Sequence, residues 1–284
     1  MIVSVSRRCD IPRFQFPWFL KRLDAGFCET VNPFNRHQVK RVSLVPAEEG
    51  KNPEDGVDLF VFWTRDPRKI LANTDELSNR GYRFYVMVTL TGYPILLEPS
   101  MVGTSKILAA IIKLAEKIGP DRVIWRYDPL IVTNITNEDF HLANFNLMAQ
   151  KLTGSVHRVI ISIYDEYKGA AKRLQALERM GSLQMLNTGN AFQEQTLPRL
   201  LAGFAESAKA AGMEIQSCAR KEDFSHYGIN PGACIDALLI ERLWGLDLSG
   251  KDKNQRPHCL CSKSVDIGAY GTCSANCVYC YAWN

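Results

Sequence analysis

Short apolar, β-branched segments alternate along this chain with longer stretches of helical periodicity, and no other feature limits the fold as much. The segments that read as strands are Ile2–Ser6, Leu59–Thr64, Arg83–Leu90, Arg122–Tyr127, Arg158–Tyr164 and Met213–Cys218. Helical patterns cover Trp18–Asp24, Pro67–Arg80, Ser105–Ile118, Glu138–Leu152, Ala170–Met180 and Thr196–Ala211. Two weaker segments, Phe27–Val31 and Val39–Val45, bring the strand count toward eight. Strand, crossover helix and strand in succession build a parallel sheet. No Pro/Gly/Ser-rich linker or repeat interrupts the series, so residues 1–250 read as one α/β domain.

The strand ends separate a barrel from an open doubly wound sheet. Segment after segment finishes in polar residues: Ser6-Arg7-Arg8, Thr64-Arg65-Asp66, Thr89-Leu90-Thr91, Arg126-Tyr127-Asp128, Tyr164-Asp165-Glu166 and Ser217-Cys218-Ala219-Arg220. A β/α barrel delivers the C-terminal ends of all its strands to one mouth, whereas an open sheet uses mainly those at its switch point. No G-x-G-x-x-G turn follows Ile2–Ser6, which removes the simplest dinucleotide reading. The pattern predicts a TIM-barrel-like (β/α) barrel of six to eight parallel strands. Arg8, Arg65 and Arg126 would stand at its mouth, able to hold carboxylate or phosphate by paired hydrogen bonds. For Arg126 an ion pair with Asp128 is the competing role.

Lys and Arg outnumber Asp and Glu by only 34 to 30, far from the excess of a dedicated nucleic-acid binder, although the balance leaves nucleic acid open. Apolar runs such as Phe84–Leu90 are far shorter than the ~20 residues of a membrane helix, and the N-terminus lacks a signal-peptide layout. A cytoplasmic protein without membrane contact is expected. In that reducing setting nine cysteines read as metal ligands or reactive thiols rather than disulfides. Their placement is lopsided: Cys9 and Cys28 come early, and seven fall between Cys218 and Cys280. Residues 251–284 fit neither helical nor strand periodicity and read as a metal-ordered, cysteine-rich tail folded over the barrel mouth, one structural unit with the barrel.

Within that tail, Cys273-Ser-Ala-Asn-Cys277-Val-Tyr-Cys280 is a C-x3-C-x2-C triplet. Soft thiolates this close suit an iron–sulfur cluster or zinc. Three ligands leave one iron of a four-iron cubane open to a small molecule, just as a catalytic zinc keeps one position free. Cys218, Cys234, Cys259 and Cys261 supply the four thiolates of a second, closed cluster, with Cys218 and Cys234 as buried small hydrophobes being the plainer reading. The five histidines form no paired metal spacing, so satisfied polar roles are expected for them, His258 beside Cys259 being the sole candidate ligand.

The triplet, with Tyr279 preceding its last cysteine, resembles the signature of the radical S-adenosylmethionine (radical SAM) superfamily. That resemblance implies a [4Fe-4S] cluster on Cys273, Cys277 and Cys280, S-adenosylmethionine chelated at the open iron, and Tyr279 near the adenine. A wider set of segments resembles the family called domain of unknown function 1848. They are Cys259-Leu-Cys261, Asp266-Ile-Gly-Ala-Tyr270, Ser4 with Arg7-Arg8-Cys9-Asp10-Ile11-Pro12, Phe62-Trp63-Thr64-Arg65 and Trp125-Arg126-Tyr127-Asp128-Pro129. Against the superfamily pattern, the motif here closes the chain instead of following the first strand, and the usual glycine-glycine-glutamate motif is absent, with Thr91-Gly92-Tyr93-Pro94 after a strand only a faint echo of it. The leading expectation is a radical SAM-like enzyme acting on an anionic substrate, fed by an electron donor such as flavodoxin or ferredoxin. The alternatives are a non-catalytic iron–sulfur protein for electron transfer or redox sensing, and a zinc protein using Cys259, Cys261, Cys277 and Cys280 to engage nucleic acid.

Overall fold

The computed structural model describes residues 1–32, 35–48 and 55–283. Its strands are β1 (Ile2–Val5), β2 (Phe27–Asn32), β3 (Asn35–Ser43), β4 (Leu59–Thr64), β5 (Phe84–Thr89), β6 (Val123–Leu130), β7 (Arg158–Ile163), β8 (Glu214–Cys218), β9 (Asn230–Gly232) and β10 (Val265–Asp266). The helices are α1 (Phe16–Ala25), α2 (Arg68–Ala72), α3 (Thr74–Asn79), α4 (Thr104–Ile118), α5 (Glu138–Leu152), α6 (Lys168–Arg179), α7 (Gly189–Ala191), α8 (Leu197–Ala210) and α9 (Ala237–Trp244).

Eight parallel strands form the main sheet in the order β10-β1-β4-β5-β6-β7-β8-β9. Apart from β10, spatial order follows chain order, with no reversal. The runs of β4 and β5 are buried at every position, as parallel strands covered on both faces require. On one face Phe60, Phe62, Phe84, Val88, Trp125 and Ile161 pack with helix residues such as Phe19, Ile111, Phe145 and Phe204. On the other, Ile2, Leu59, Val61, Tyr85, Ile124 and Ile160 pack with Leu239 and Ile240 of α9. Asp236 caps α9 by accepting from the Leu238 N–H, and Gly245 ends it at φ 65°, a left-handed turn that glycine adopts without strain.

Three expectations change. The outermost strands, β9 and β10, are not paired with each other among the described residues, so strand pairing does not close the expected ring. Both are short, and Pro231 within β9 has no N–H to donate. Phe27–Val31 and Val39–Val45 do not join the main sheet but pair antiparallel as the separate hairpin β2–β3. Only one face of that hairpin is covered: Cys28 and Val42, opposite one another, are buried, whereas Glu29, Val31, Val39 and Arg41 are exposed. Pro67–Arg80 is two short helices, because Asn73 leaves helical geometry at φ −122°, ψ 15°. Among the described residues no helix is long and apolar enough to cross a membrane.

His141 on α5 is buried, with its Nδ1 2.8 Å from the Tyr127 hydroxyl and its Nε2 2.9 Å from the Ile131 carbonyl. Burial lowers its pKa from 6.5 to about 4. The unfolded chain therefore takes up a proton over a range where the folded chain does not. The stability contribution is present above pH 6.5 and is lost as pH falls toward 4. Between pH 7 and pH 5 this group should cost about 2 kcal/mol, and a His141→Gln variant should lack that component of the pH slope in denaturant unfolding. Parallel slopes for the two proteins would refute the assignment.

Candidate functional site

Along the face that α9 covers, apolar side chains give way to polar ones toward the strand C-termini. Ile2 is followed by Ser4 and Ser6, Ile124 by Arg126 and Asp128, and Ile160 by Ser162 and Tyr164. These polar ends border a cavity of about 940 Å³. The tail forms the rest of its wall, contributing Cys259, Cys261, Cys273, Cys277, Tyr279 and Cys280 among others. β10 anchors this segment by pairing with β1, and Asp266 fixes the join. Its carboxylate accepts from the hydroxyls of Ser4 (2.8 Å) and Ser6 (2.6 Å) and from the N–H groups of Arg7 (2.8 Å) and Gly268 (2.9 Å). Position 268 admits only glycine, since a Cβ there would lie 2.0 Å from the Ser6 hydroxyl.

Cys273, Cys277 and Cys280 lie on a tight loop. The Cys280 N–H donates to the Cys277 carbonyl (3.0 Å), and Asn276 takes a left-handed φ of 54° that asparagine tolerates. Arg173 of α6 reaches across and donates to the carbonyls of Val278 (2.9 Å), Trp283 (3.1 Å) and Cys280. The Val278 N–H donates to the Leu97 carbonyl at 3.0 Å. Burial raises the Cys277 thiol to about 11 and also raises Cys273. Without a metal these thiols hold their protons at neutral pH, and ligation would release them.

Tyr279 turns its ring inward, where its hydroxyl donates to Glu98 and accepts from Arg65. Arg65 pairs with Glu98 at 2.7 Å, and the Thr91 hydroxyl donates to the same carboxylate at 2.5 Å. Burial works against the Arg65 charge, but Glu98, together with Tyr279 and Cys277, outweighs it and holds the guanidinium well above its ordinary pKa. Glu98 is 1% exposed, and its second oxygen has no hydrogen-bond partner. It lies beyond Thr91-Gly92-Tyr93-Pro94 in a loop with no periodicity, so nothing in the sequence marked it. Arg173 likewise gave no sign of its anchoring role, and Asp266 stood out only as part of the Asp266-Ile-Gly-Ala-Tyr270 segment.

The fold places Arg8, Arg65 and Arg126 on the wall of the cavity that the triplet also lines. Each already faces an acid: Arg8 lies 3.9 Å from Asp266, Arg65 pairs with Glu98, and Arg126 pairs with Asp128 at 2.5 Å. Arg126 also lies over the Trp63 ring at 4.8 Å, and its Nε is buried without an acceptor.

The remaining cysteines sort into a separate set. Cys218 at the end of β8 faces Cys234, sulfur to sulfur at 3.4 Å. Cys261 accepts from the Ile235 N–H at 3.4 Å, and hydrogen bonds from Cys234 and Cys259 lower its pKa. Those donors are raised in turn. The fold thus groups Cys259 and Cys261 with Cys218 and Cys234, and Cys277 and Cys280 with Cys273. Among the described residues no three His, Cys, Asp or Glu side chains are arranged to hold a single metal ion. Cys9 is buried beside Cys273 and Thr272, Cys28 belongs to the main core, and His258 is exposed.

A family model described as Domain of unknown function (DUF1848) matches residues 2–282, from the first strand through the triplet loop. No curated protein matches the sequence. With the match extending over nearly its whole length, this chain belongs to the DUF1848 family.

Proposed function

We propose that the protein is an iron–sulfur enzyme of radical SAM type. Cys273, Cys277 and Cys280 would each ligate one iron of a [4Fe-4S] cluster, and the fourth iron would take the amino and carboxylate groups of S-adenosylmethionine. The observation that carries this reading is the delivery of a three-thiol loop to a roomy cavity at the C-terminal ends of parallel strands. Strands in sequential order, without a switch point, also support reading the sheet as an incompletely closed β/α barrel. The residues present fit a cluster: the donors are soft, Cys273 and Cys277 need ligation to lose their protons, and Arg173 pins the loop through backbone carbonyls rather than through the sulfurs.

When bound, such a cluster would supply one-electron reduction of S-adenosylmethionine and hence its reductive cleavage, the electron coming from a donor such as flavodoxin or ferredoxin. The chain's own part is orientation and exclusion of water. Tyr279, held edge-on to Tyr93 at 5.9 Å, offers an aromatic face beside the loop. Arg126 keeps one buried donor for an anionic group of substrate or cofactor. The test is anaerobic reconstitution with iron and sulfide, reduction, and incubation with S-adenosylmethionine. Formation of 5′-deoxyadenosine and methionine is expected. A brown protein that forms neither is a non-catalytic iron–sulfur protein, and a colourless one holding stoichiometric zinc removes iron chemistry altogether.

A further inference from the structure

We propose that Cys218, Cys234, Cys259 and Cys261 form a second metal centre, a four-thiolate site closed to outside ligands and distinct from the triplet. Three remote segments supply it: Cys218 ends β8, Cys234 lies just before α9, and Cys259 and Cys261 come from the tail. All four are at most 9% exposed. Buried cysteines acting only as small hydrophobes have no reason to converge. Here they meet sulfur to sulfur, Cys218 against Cys234 and Cys261 between Cys234 and Cys259.

The charges around them point the same way. Arg7 and Arg126 flank the Trp63 ring, at 5.6 and 4.8 Å from its centre. Arg7 faces Cys261, Asp266 and Cys234, and Arg126 faces Asp128, Cys234 and Cys218. Asp128 occupies one edge of Arg126, yet the Nε remains buried without an acceptor. Two buried cations facing one cysteine quartet favour its thiolate form, the form in which a metal holds it. Four thiolates complete a cubane iron–sulfur cluster, each thiol giving its proton to solvent on ligation; because no three of the described side chains are arranged to hold a single metal ion, the quartet is assigned to a cluster rather than to a lone zinc. The centre would tie α9, which covers the inner face of the sheet, to both β8 and the tail.

The decisive sample is the full-length Cys273→Ala/Cys277→Ala/Cys280→Ala variant, which leaves this quartet intact. It is reconstituted anaerobically with ferrous iron and sulfide and, in parallel, with zinc alone. Stoichiometric zinc in place of iron overturns the cluster, whereas retention of about four irons with sulfide is expected. Adding Cys259→Ala/Cys261→Ala should abolish that retention. A folded triple variant that keeps neither metal overturns the proposal, as does retention indifferent to Cys259 and Cys261. If the triple variant does not fold, the wild type serves, and Cys259→Ala/Cys261→Ala should remove about half of its iron. Metal content unchanged in that comparison is equally fatal. Every readout is a metal content, so S-adenosylmethionine cleavage can fail without touching this result.

Discussion

Replacing Cys273, Cys277 and Cys280 together by alanine is expected to bring 5′-deoxyadenosine formation down to background and to remove about four irons per chain. The loss should be total because the three side chains act as one unit: without them no iron is presented to S-adenosylmethionine, whatever else the cavity retains. Buried thiols that hold their protons at neutral pH are poor ligands singly, so single replacements should already lower iron occupancy strongly. Cys28→Ala is the control, since Cys28 is a buried cysteine on β2 of the hairpin that packs into the main core. Iron content in the triple variant equal to that of wild type would end the assignment, and an equal loss in Cys28→Ala would show that the effect was misfolding.

The second large effect is expected at the Arg65–Glu98 pair. Glu98 is wholly buried at its side chain and Arg65 is 12% exposed there, so removing either partner strands the other's charge. Glu98→Ala or Arg65→Ala should each cost about 3–5 kcal/mol in denaturant unfolding, as breaking a buried ion pair does. The joint change Arg65→Met/Glu98→Leu should recover most of that cost, because replacing both charges by apolar groups leaves nothing unpaired. The single variants should also expose the tail to protease around Tyr279, whose hydroxyl depends on both residues. Additive costs in the double variant would mean that the two residues do not stabilise each other.

The six principal strands were legible because each is a run of apolar residues that a parallel sheet buries on both faces. β9 and β10 were not, since three and two residues carry no periodicity and are held by neighbours remote in sequence. The hairpin segments were legible as strands but not as to their partner: one-sided burial becomes visible only once the core is known. Cysteine spacing marked the triplet, and the fold groups its members on one loop. Spacing could not say whether Cys259 and Cys261 would meet Cys218 and Cys234 or Cys277 and Cys280, because loop closure over such separations depends on where the strands deliver their ends. Glu98 gave no signal at all, its role arising from burial beside Arg65 rather than from any motif.

The pairing of β1 with β10 joins residues 3–4 to residues 265–266. A ribosome adding roughly 5–20 residues per second makes the first strand roughly 13–50 s before its outer neighbour. During that interval one edge of β1 has unpaired N–H and C=O groups, and such an edge is a template for pairing with other chains. The segment that covers it is the same one whose Asp266 gathers Ser4, Ser6 and Arg7, and which leads into the triplet loop. Protection of the nascent sheet and assembly of the triplet loop are therefore one late event, and on the proposed function metal delivery to the triplet would follow synthesis of the main sheet. Expression temperature and chaperone supply, which govern how long the uncovered edge survives, should thus influence how much of the protein can be loaded with iron at all.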